Sequence, residues 1–561
     1  MTCIAGHLTM NAAHFALERA AWQPILFGTP NRAAIAGCIA SWECRPVRVR
    51  VHRNHAFEPV SSICAAYAAW NRIDFDWRIG SYDDTLSFGL EERGEIELIW
   101  FDSERLQKVA DGKLGEWLLE RLRNLRSFTT NPIVALVWPL PLAERERITE
   151  SALPATYVPD LQPLADQLAE RWLDRRAMSI SGTRLSNRAC MEIARELACC
   201  WLPAAAIPPI KAVAVDLDGT LYSGVLSEDG PSGIEVGDGH IALHRRLSEL
   251  RASGILLALV TRNERPDVEE LFARRVDFPL RLDDFSVIEA SWGDKSPALD
   301  RVALKLGISA EAIVFIDDNP GELSEVAASS GAVTVHAGVD GAETARALVH
   351  VSGIFRWRRS AEDELRDRDL RLSEQRSGLV RTAVSTDEYL RGLQVRLAYF
   401  IGGREHVARI AELASKTNQF NLSLRRLNEA DIARRLVERP ANVVAIRLED
   451  RLSDSGIVGA VVGSRQGNTL RIEEVCISCR ALGRRLEDNM LTHALRLFAG
   501  EQPPSRIAFD VSKGPRNEPA RRWLAQYLNI ELDEDAESVE MNFDVVRAKT
   551  ISSAIQVEVA P

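Results

Sequence analysis

An apolar run that stops abruptly at two carboxylates constrains this chain more than any other stretch. In Lys211-Ala-Val-Ala-Val-Asp-Leu-Asp-Gly-Thr220, Ala212 to Val215 reads as a strand buried on both faces, the kind found inside parallel sheets. Asp216 and Asp218 follow, and Gly219-Thr220 turns the chain. Two such charges a few ångströms apart repel unless a cation, a shared proton or a basic partner intervenes. The pattern recurs: Ile255 to Val260 ends in Thr261 and Asn263, and Ile313 to Ile316 ends in Asp317 and Asp318, with helical segments between. Parallel strands joined by right-handed crossovers are the expected solution. Ligands in such sheets sit beyond the carboxyl ends of the strands, so these residues are expected to converge on one crevice. Lys295, in Ser291-Trp-Gly-Asp-Lys295, lies between the second and third strands.

The rest of the chain is organised around this segment. At 561 residues and 46% hydrophobic composition it is long enough for three or four α/β domains, each with its own core. Residues 1–205 alternate a helix near Ala12 to Ala21, strands at Val47 to Val51 and Ile96 to Trp100, a helix at Leu114 to Leu125 and a strand at Ile133 to Trp138, the rhythm of an α/β sandwich. Ile79-Gly-Ser-Tyr-Asp-Asp-Thr85 is expected to be a solvated turn with Asx capping rather than a nucleophile loop. The prolines of Trp201-Leu-Pro-Ala-Ala-Ala-Ile-Pro-Pro209 suggest a linker. Residues 206–355 form the central domain. The segment 356–385 mixes Arg, Asp and Glu densely and reads as a solvated connecting helix. Residues 386–561 form a further α/β domain, in which Cys479 opens an amphipathic helix to about Leu497.

An excess of 80 acidic over 69 basic residues, formally -11, argues against general nucleic-acid binding. The opening residues lack a basic segment followed by a long apolar one, and no apolar run reaches membrane-span length. The expectation is a cytoplasmic protein with no membrane partner. Its 9 cysteines are odd in number and sparse, which makes a disulfide framework improbable.

The central residues suggest phosphate chemistry. Asp216 can attack phosphorus, and Asp218 can protonate the leaving group and then activate water. Thr261 can donate to a phosphate oxygen, while Lys295 offsets charge. Magnesium suits an all-oxygen site built from Asp216, Asp218, Asp317 and Asp318.

The four clusters Asp216-Leu-Asp218-Gly-Thr220, Thr261, Lys295 and Asp317-Asp318 resemble the motifs of the haloacid dehalogenase-like phosphatases. That resemblance implies a Rossmann-like parallel sheet with a minimal cap, because the intervals after Thr220 and Thr261 are too short for a full one. Leu221-Tyr-Ser-Gly-Val-Leu-Ser-Glu-Asp-Gly230, Asp317-Asp-Asn-Pro-Gly-Glu322, Asn418-Gln-Phe-Asn421 and Ser478-Cys-Arg-Ala-Leu-Gly483 are similar to the FkbH-like proteins of polyketide assembly. The family organisation implies an SGNH-like α/β domain before the phosphatase and a GNAT-like one after it. It also implies an acyl transferase that takes a phosphorylated three-carbon donor, 1,3-bisphosphoglycerate in the best understood members. Such an enzyme removes phosphate and loads the acyl group onto the phosphopantetheine arm of an acyl carrier protein, by way of an enzyme cysteine. Some members carry that cysteine between the motif aspartates, where Leu217 stands here. Cys479 is the candidate instead, with a helix start and Arg480 favouring thiolate, ahead of Cys476 within the strand. The Arg480-Ala-Leu-Gly483-Arg-Arg485 turn resembles the GNAT pyrophosphate loop, which implies that Arg480 and Gly483 bind pantetheine phosphate, although Arg485 replaces the usual small residue. The other reading is a stand-alone small-molecule phosphatase.

Overall fold

The computed structural model describes residues 2–89, 92–106, 113–174, 176–338, 341–358 and 385–560, the last without 418, 440, 441 and 515, together with isolated positions between 359 and 384. Among the described residues it is a multidomain α/β architecture of three sheets. One compact unit spans Met1–Lys305 and Ser309–Arg358, and a second comprises Arg359–Pro561 with Leu306–Ile308.

The first unit holds two parallel sheets. β1 (Arg45–Arg53), β2 (Ile73–Tyr82), β3 (Ile96–Asp102), β4 (Ile133–Trp138) and β5 (Thr156–Tyr157) are ordered β2-β1-β3-β4-β5, parallel throughout. β6 (Ala212–Val215), β7 (Leu256–Thr261), β8 (Val287–Ala290), β9 (Ile313–Asp317) and β10 (Val333–His336) are ordered β10-β9-β6-β7-β8, also parallel. β6 is buried at every position, as its unbroken apolar run requires of a central strand. The chain runs outward from β6 to β7 and β8, then crosses to β9 and β10, so the strand order reverses between β6 and β9. That reversal is where parallel sheets receive ligands. Between β6 and β7 the cap is the short segment Leu226–Gly233, helical but broken at Gly230 (φ +65°), and closed by backbone pairing of Ser223 with Glu235.

Two expectations for residues 1–210 need correction. Ile79 to Tyr82 belong to β2, and the Asx turn begins at Asp83, whose carboxylate accepts from the backbone of Thr85 and Ser87; the alternation from Ile73 carries the strand through. The supposed linker is buried: Leu197–Trp201 form a π-turn and Pro203–Ala206 a helix, with Trp201 and Leu202 in the core. Proline is tolerated because it stands at a helix start. The two sheets share one core. Arg19 and Gln23 of the helix Thr2–Phe27 reach the carbonyls of Thr334 and His336 on edge strand β10, covering backbone that an edge otherwise leaves open.

The second unit carries a mixed sheet. Its strands are β11 (Arg396–Ile401), β12 (Val443–Glu449), β13 (Asp454–Gln466), β14 (Thr469–Ile477), β15 (Arg506–Asp510), β16 (Ser538–Asn542) and β17 (Gln556–Ala560), ordered β16-β15-β14-β13-β12-β11-β17. Beyond Ile472, β14 parts from β15, and Phe420 to Leu422 fill the gap. They bond Val475 and Ile477 on one side and Ser512 on the other. Most of segment 356–385 lies outside the described residues, but Asp369 and Arg376 are buried, not solvated. Arg376 pairs with Asp450 at 2.9 Å and Asp369 at 3.3 Å, and Arg484 joins Asp450 at 3.0 Å.

Candidate active site

The carboxyl ends of β6, β7 and β9 bring the scattered polar residues together. Asp216 follows β6 and is tied to β9 by its N–H, which donates to the Ile316 carbonyl at 3.0 Å. Lys295 begins the helix Lys295–Leu306, whose start is held by Glu325 accepting from both the amide and the hydroxyl of Ser296. Only 4% exposed, its ammonium lies 2.6 Å from Asp216 Oδ1 and 3.4 Å from Asp317 Oδ2, and donates to the Val260 carbonyl at 3.0 Å. Asp317 Oδ1 accepts from the Asn319 amide at 2.9 Å. Gly219 has a φ of +69°, and a Cβ there would fall 2.3 Å from Asp318 Oδ2. Glycine is therefore needed both for the turn and for the approach of that carboxylate.

Burial dominates the electrostatics. It raises Asp216, against the pull of Lys295. It pushes Asp317 up to about 7, with the Asp216 charge adding to the effect and Lys295 opposing it. Asp318, at the mouth, is also raised by partial burial. Asp216, Asp317 and Asp318 each place a carboxylate oxygen within 4.8 Å of the others, and buried Asp317 Oδ2, beyond its 3.4 Å approach to Lys295, accepts no hydrogen bond among the described residues. Three hard oxygen donors, one with spare capacity, fit magnesium.

Asp218, expected among the metal ligands, is not in that cluster. Its Oδ1 accepts from the Tyr222 hydroxyl at 2.7 Å and the Leu226 amide at 2.9 Å, and its Oδ2 accepts from Asn263 Nδ2 at 2.7 Å. β6 ends at Val215, so strand alternation does not hold the two aspartates to one face, and the turn expected at Gly219-Thr220 reorients the second. Asn263 also donates to Thr261 Oγ1 from Nδ2 at 2.9 Å and from its backbone at 3.3 Å. The Thr261 oxygen is thus occupied as an acceptor, and its hydrogen is available to donate. Tyr222 and Asn263 are residues that motif reading did not assign. Asn263 is expected at the crevice from its place at a strand end, but its contact with Asp218, like that of Tyr222, is visible only once the fold is known.

A second group within 4.8 Å, Glu196, Cys200 and His350, joins the two sheets. Arg195 Nε stands 3.1 Å from His350 Nε2, and Glu196 Oε1 is 3.0 Å from the same atom. The guanidinium takes the place a cation would fill, so this is a buried ion-pair network.

In the second unit Cys479 is partly exposed, in a turn rather than at a helix start. The helix is Glu487–Ala499, delayed because Gly483 (φ +76°) and Arg485 (φ +58°) are left-handed. The Gly483 amide donates to Glu487 Oε1 at 3.3 Å, and Arg480 is largely buried. Cys476 is fully buried in β14, with its thiol raised far above the ordinary range by burial.

No protein-family model matches the chain, and no curated protein matches it. Among solved structures it is similar to the N-terminal part of BF1531 from Bacteroides fragilis, which contains a phosphatase domain and was crystallised with Mg. That likeness has 17% identity and a TM-score of 0.45, covering 56% of this chain and 95% of that one. It is also similar to the loading GNATL domain of CurA from Lyngbya majuscula (15% identity, TM-score 0.18, 27% of this chain and 80% of that one). A third likeness is to a chimera of the Vibrio cholerae spermidine N-acetyltransferase SpeG with hSSAT (12% identity, TM-score 0.20, 28% and 99%). No helix among the described residues is long and apolar enough to cross a membrane.

Proposed function

We propose that the chain is a magnesium-dependent acyl transferase and phosphatase of the FkbH-like kind. It would take glyceryl from 1,3-bisphosphoglycerate, remove the donor's phosphates and load the acyl group as a thioester onto an acyl carrier protein in polyketide-type biosynthesis. The observation that carries this reading is the buried Lys295–Asp216 pair at the reversal of strand order, with Asp317 and Asp318 beside it. A carboxylate so placed is a nucleophile for phosphorus: Asp216 forms the aspartyl phosphate as the ester oxygen leaves, and Asp218 protonates that oxygen. To do so, one Asp218 oxygen must turn from accepting to donating. Asp218 then takes a proton from the water that releases inorganic phosphate and regenerates Asp216. Thr261 donates to a phosphate oxygen, and Lys295 offsets the charge. Magnesium, held by Asp216, Asp317 and Asp318, would supply further charge neutralisation.

The acyl phosphate end of the donor needs a thiolate, which attacks the acyl carbon and expels phosphate; transfer to the carrier then exchanges one thioester for another. Cys479, on the partly exposed turn after β14, is assigned this role. A second reading, a stand-alone small-molecule phosphatase, is favoured by the Gly483 amide being bonded to Glu487 and by Cys479 lying away from a helix start. The protein, magnesium, bisphosphoglycerate and a phosphopantetheinylated carrier are mixed, and carrier mass and free phosphate are followed. Glyceryl mass on the carrier is expected, lost in Cys479→Ala with phosphate release kept. Phosphate release without an adduct, unaltered in Cys479→Ala, supports the second reading.

A further inference from the structure

The loops that ring the phosphate site hold one cation to which the chemistry at Asp216 gives no role. They are residues 217–225 after β6, 262–264 after β7, 291–294 before the helix Lys295–Leu306, and 318–322 after β9. Asp216, Asp218, Asp317 and Asp318 set four carboxylates at these strand ends against the single ammonium of Lys295. Arg262 is the only other basic residue in those loops.

Arg262 is fixed where three of the loops meet. It stands between Thr261 and Asn263, both buried and bonded to each other, while its own side chain is 45% exposed. Its Nε donates to the Gly293 carbonyl at 3.0 Å, two residues ahead of Lys295. Its Nη2 lies 2.6 Å from Glu322 Oε1, on the first turn of the helix Pro320–Ser329 that follows Asp317 and Asp318. The rim around it is tied as well: the Ser291 amide donates to the Thr261 carbonyl at 3.1 Å, and the Trp292 indole donates to Glu264 at 2.6 Å. Arg262 Nη1 meets no partner among the described residues. A guanidinium oriented by two contacts and keeping an unused amino group has the planar fork that suits an anionic oxygen.

Neither the transferring phosphate nor the metal calls for this group, since Thr261 and Lys295 serve the first and a cation repels the second. A neutral ligand group gains less from it, because charge-assisted hydrogen bonds are roughly twice as strong as neutral ones. An anionic group elsewhere on the ligand is repelled on the Asp218 and Asp318 sides and is stabilised on the Arg262 side. We infer that Arg262 is a specificity-determining residue that receives a second anionic group, at the far end of the short carbon chain of the phosphate ester. Glu322 occupies one edge of the fork and tempers its charge, and the second anion takes the other edge. The inference rests on the phosphatase reading of Asp216 and narrows its substrate class; it does not depend on acyl transfer.

The test uses the full-length protein with magnesium and two esters, 3-phosphoglycerate and glycerol 3-phosphate, which differ only in a carboxylate against a hydroxymethyl group. Phosphate release gives kcat and KM for each. The carboxylate ester is preferred in kcat/KM by about tenfold or more. In Arg262→Gln that preference is lost through a rise in KM for 3-phosphoglycerate, and Arg262→Lys, which keeps the charge, restores part of it. Glu322→Gln, which keeps the contact and removes the opposing charge, strengthens the preference severalfold. Equal kcat/KM for the two esters in the wild type, or a preference that Arg262→Gln leaves unchanged while both esters slow alike, would overturn the inference and leave the phosphatase reading standing. No phosphate release from either ester would overturn both together. Melting curves identify a variant that fails to fold; if that is Arg262→Gln, Glu322→Gln is decisive, and an unchanged preference there overturns the inference.

Discussion

Replacing Asp317 with asparagine should stabilise the metal-free protein at alkaline pH while abolishing its response to magnesium. Burial, reinforced by the Asp216 charge, pushes Asp317 up to about 7 from an ordinary 3.8. The gap between those values, at about 1.4 kcal/mol per pH unit, amounts to ~4 kcal/mol as an upper bound. The folded protein holds the proton more tightly than the unfolded chain. Stability from this group is therefore complete below about pH 4 and is lost as pH rises through 7. Asp317→Asn keeps an oxygen for the Asn319 amide and leaves Lys295 paired with Asp216, so it removes the penalty without opening a cavity. At ~2 °C per kcal/mol for a large unit, calorimetry in EDTA at pH 8 should show the affected transition up to roughly 8 °C higher in the variant. At pH 5 the difference should shrink to less than half. Magnesium should raise the wild-type transition at pH 8, because a bound dication favours ionised carboxylates, and leave the variant unmoved. A variant no more stable than wild type at pH 8, or an equal gap at both pH values, would refute the electrostatic reasoning.

Three further outcomes follow from named contacts. Asn263→Ala removes the donor shared by Asp218 and Thr261; losing one hydrogen bond to a charged group, about 1.5–3 kcal/mol, should slow phosphate release ~10- to 100-fold. Manganese binding, followed by electron paramagnetic resonance, should be unchanged, and an unaltered turnover would contradict the assigned positioning. Arg376→Ala leaves Asp450 and Asp369 with Arg484 as their remaining cation among the described residues, a loss of about 3 kcal/mol measurable by urea unfolding; a change below ~1 kcal/mol would mean the network is not buried in solution. Iodoacetamide at pH 8 should alkylate Cys479 and spare Cys476, which lies within β14, and peptide mass spectrometry showing the reverse would overturn the assignment of roles.

The apolar run before Asp216 identifies β6 unaided, because four consecutive buried positions leave no alternative to a central strand. Lys295 was legible as a charge balance for Asp216, but its burial and the lengths of its contacts depend on Glu325 holding the helix start. Asp218 was legible as a carboxylate beside Asp216, but its place outside the metal cluster was not, because the strand ends one residue before Asp216 and the contacts to Tyr222 and Asn263 set its direction. The helix expected from Cys479 starts at Glu487 because two left-handed residues intervene, and one of them is an arginine that no turn propensity flags. The buried segment at Trp201 looked like a linker for the reason that made it a helix start: proline signals a break locally, while burial is decided by what packs above it.

What the sequence determined by itself is therefore the strand ends and the chemical types gathered at them, since both follow from local apolar runs and the residues that stop them. Which carboxylates share a cation and which one is held apart by Tyr222 and Asn263 were decided by tertiary structure alone. Those outcomes depend on contacts that include residues as far apart in sequence as Asp216 and Asp317, and distance, burial and the resulting proton affinities exist only after the chain has closed on itself.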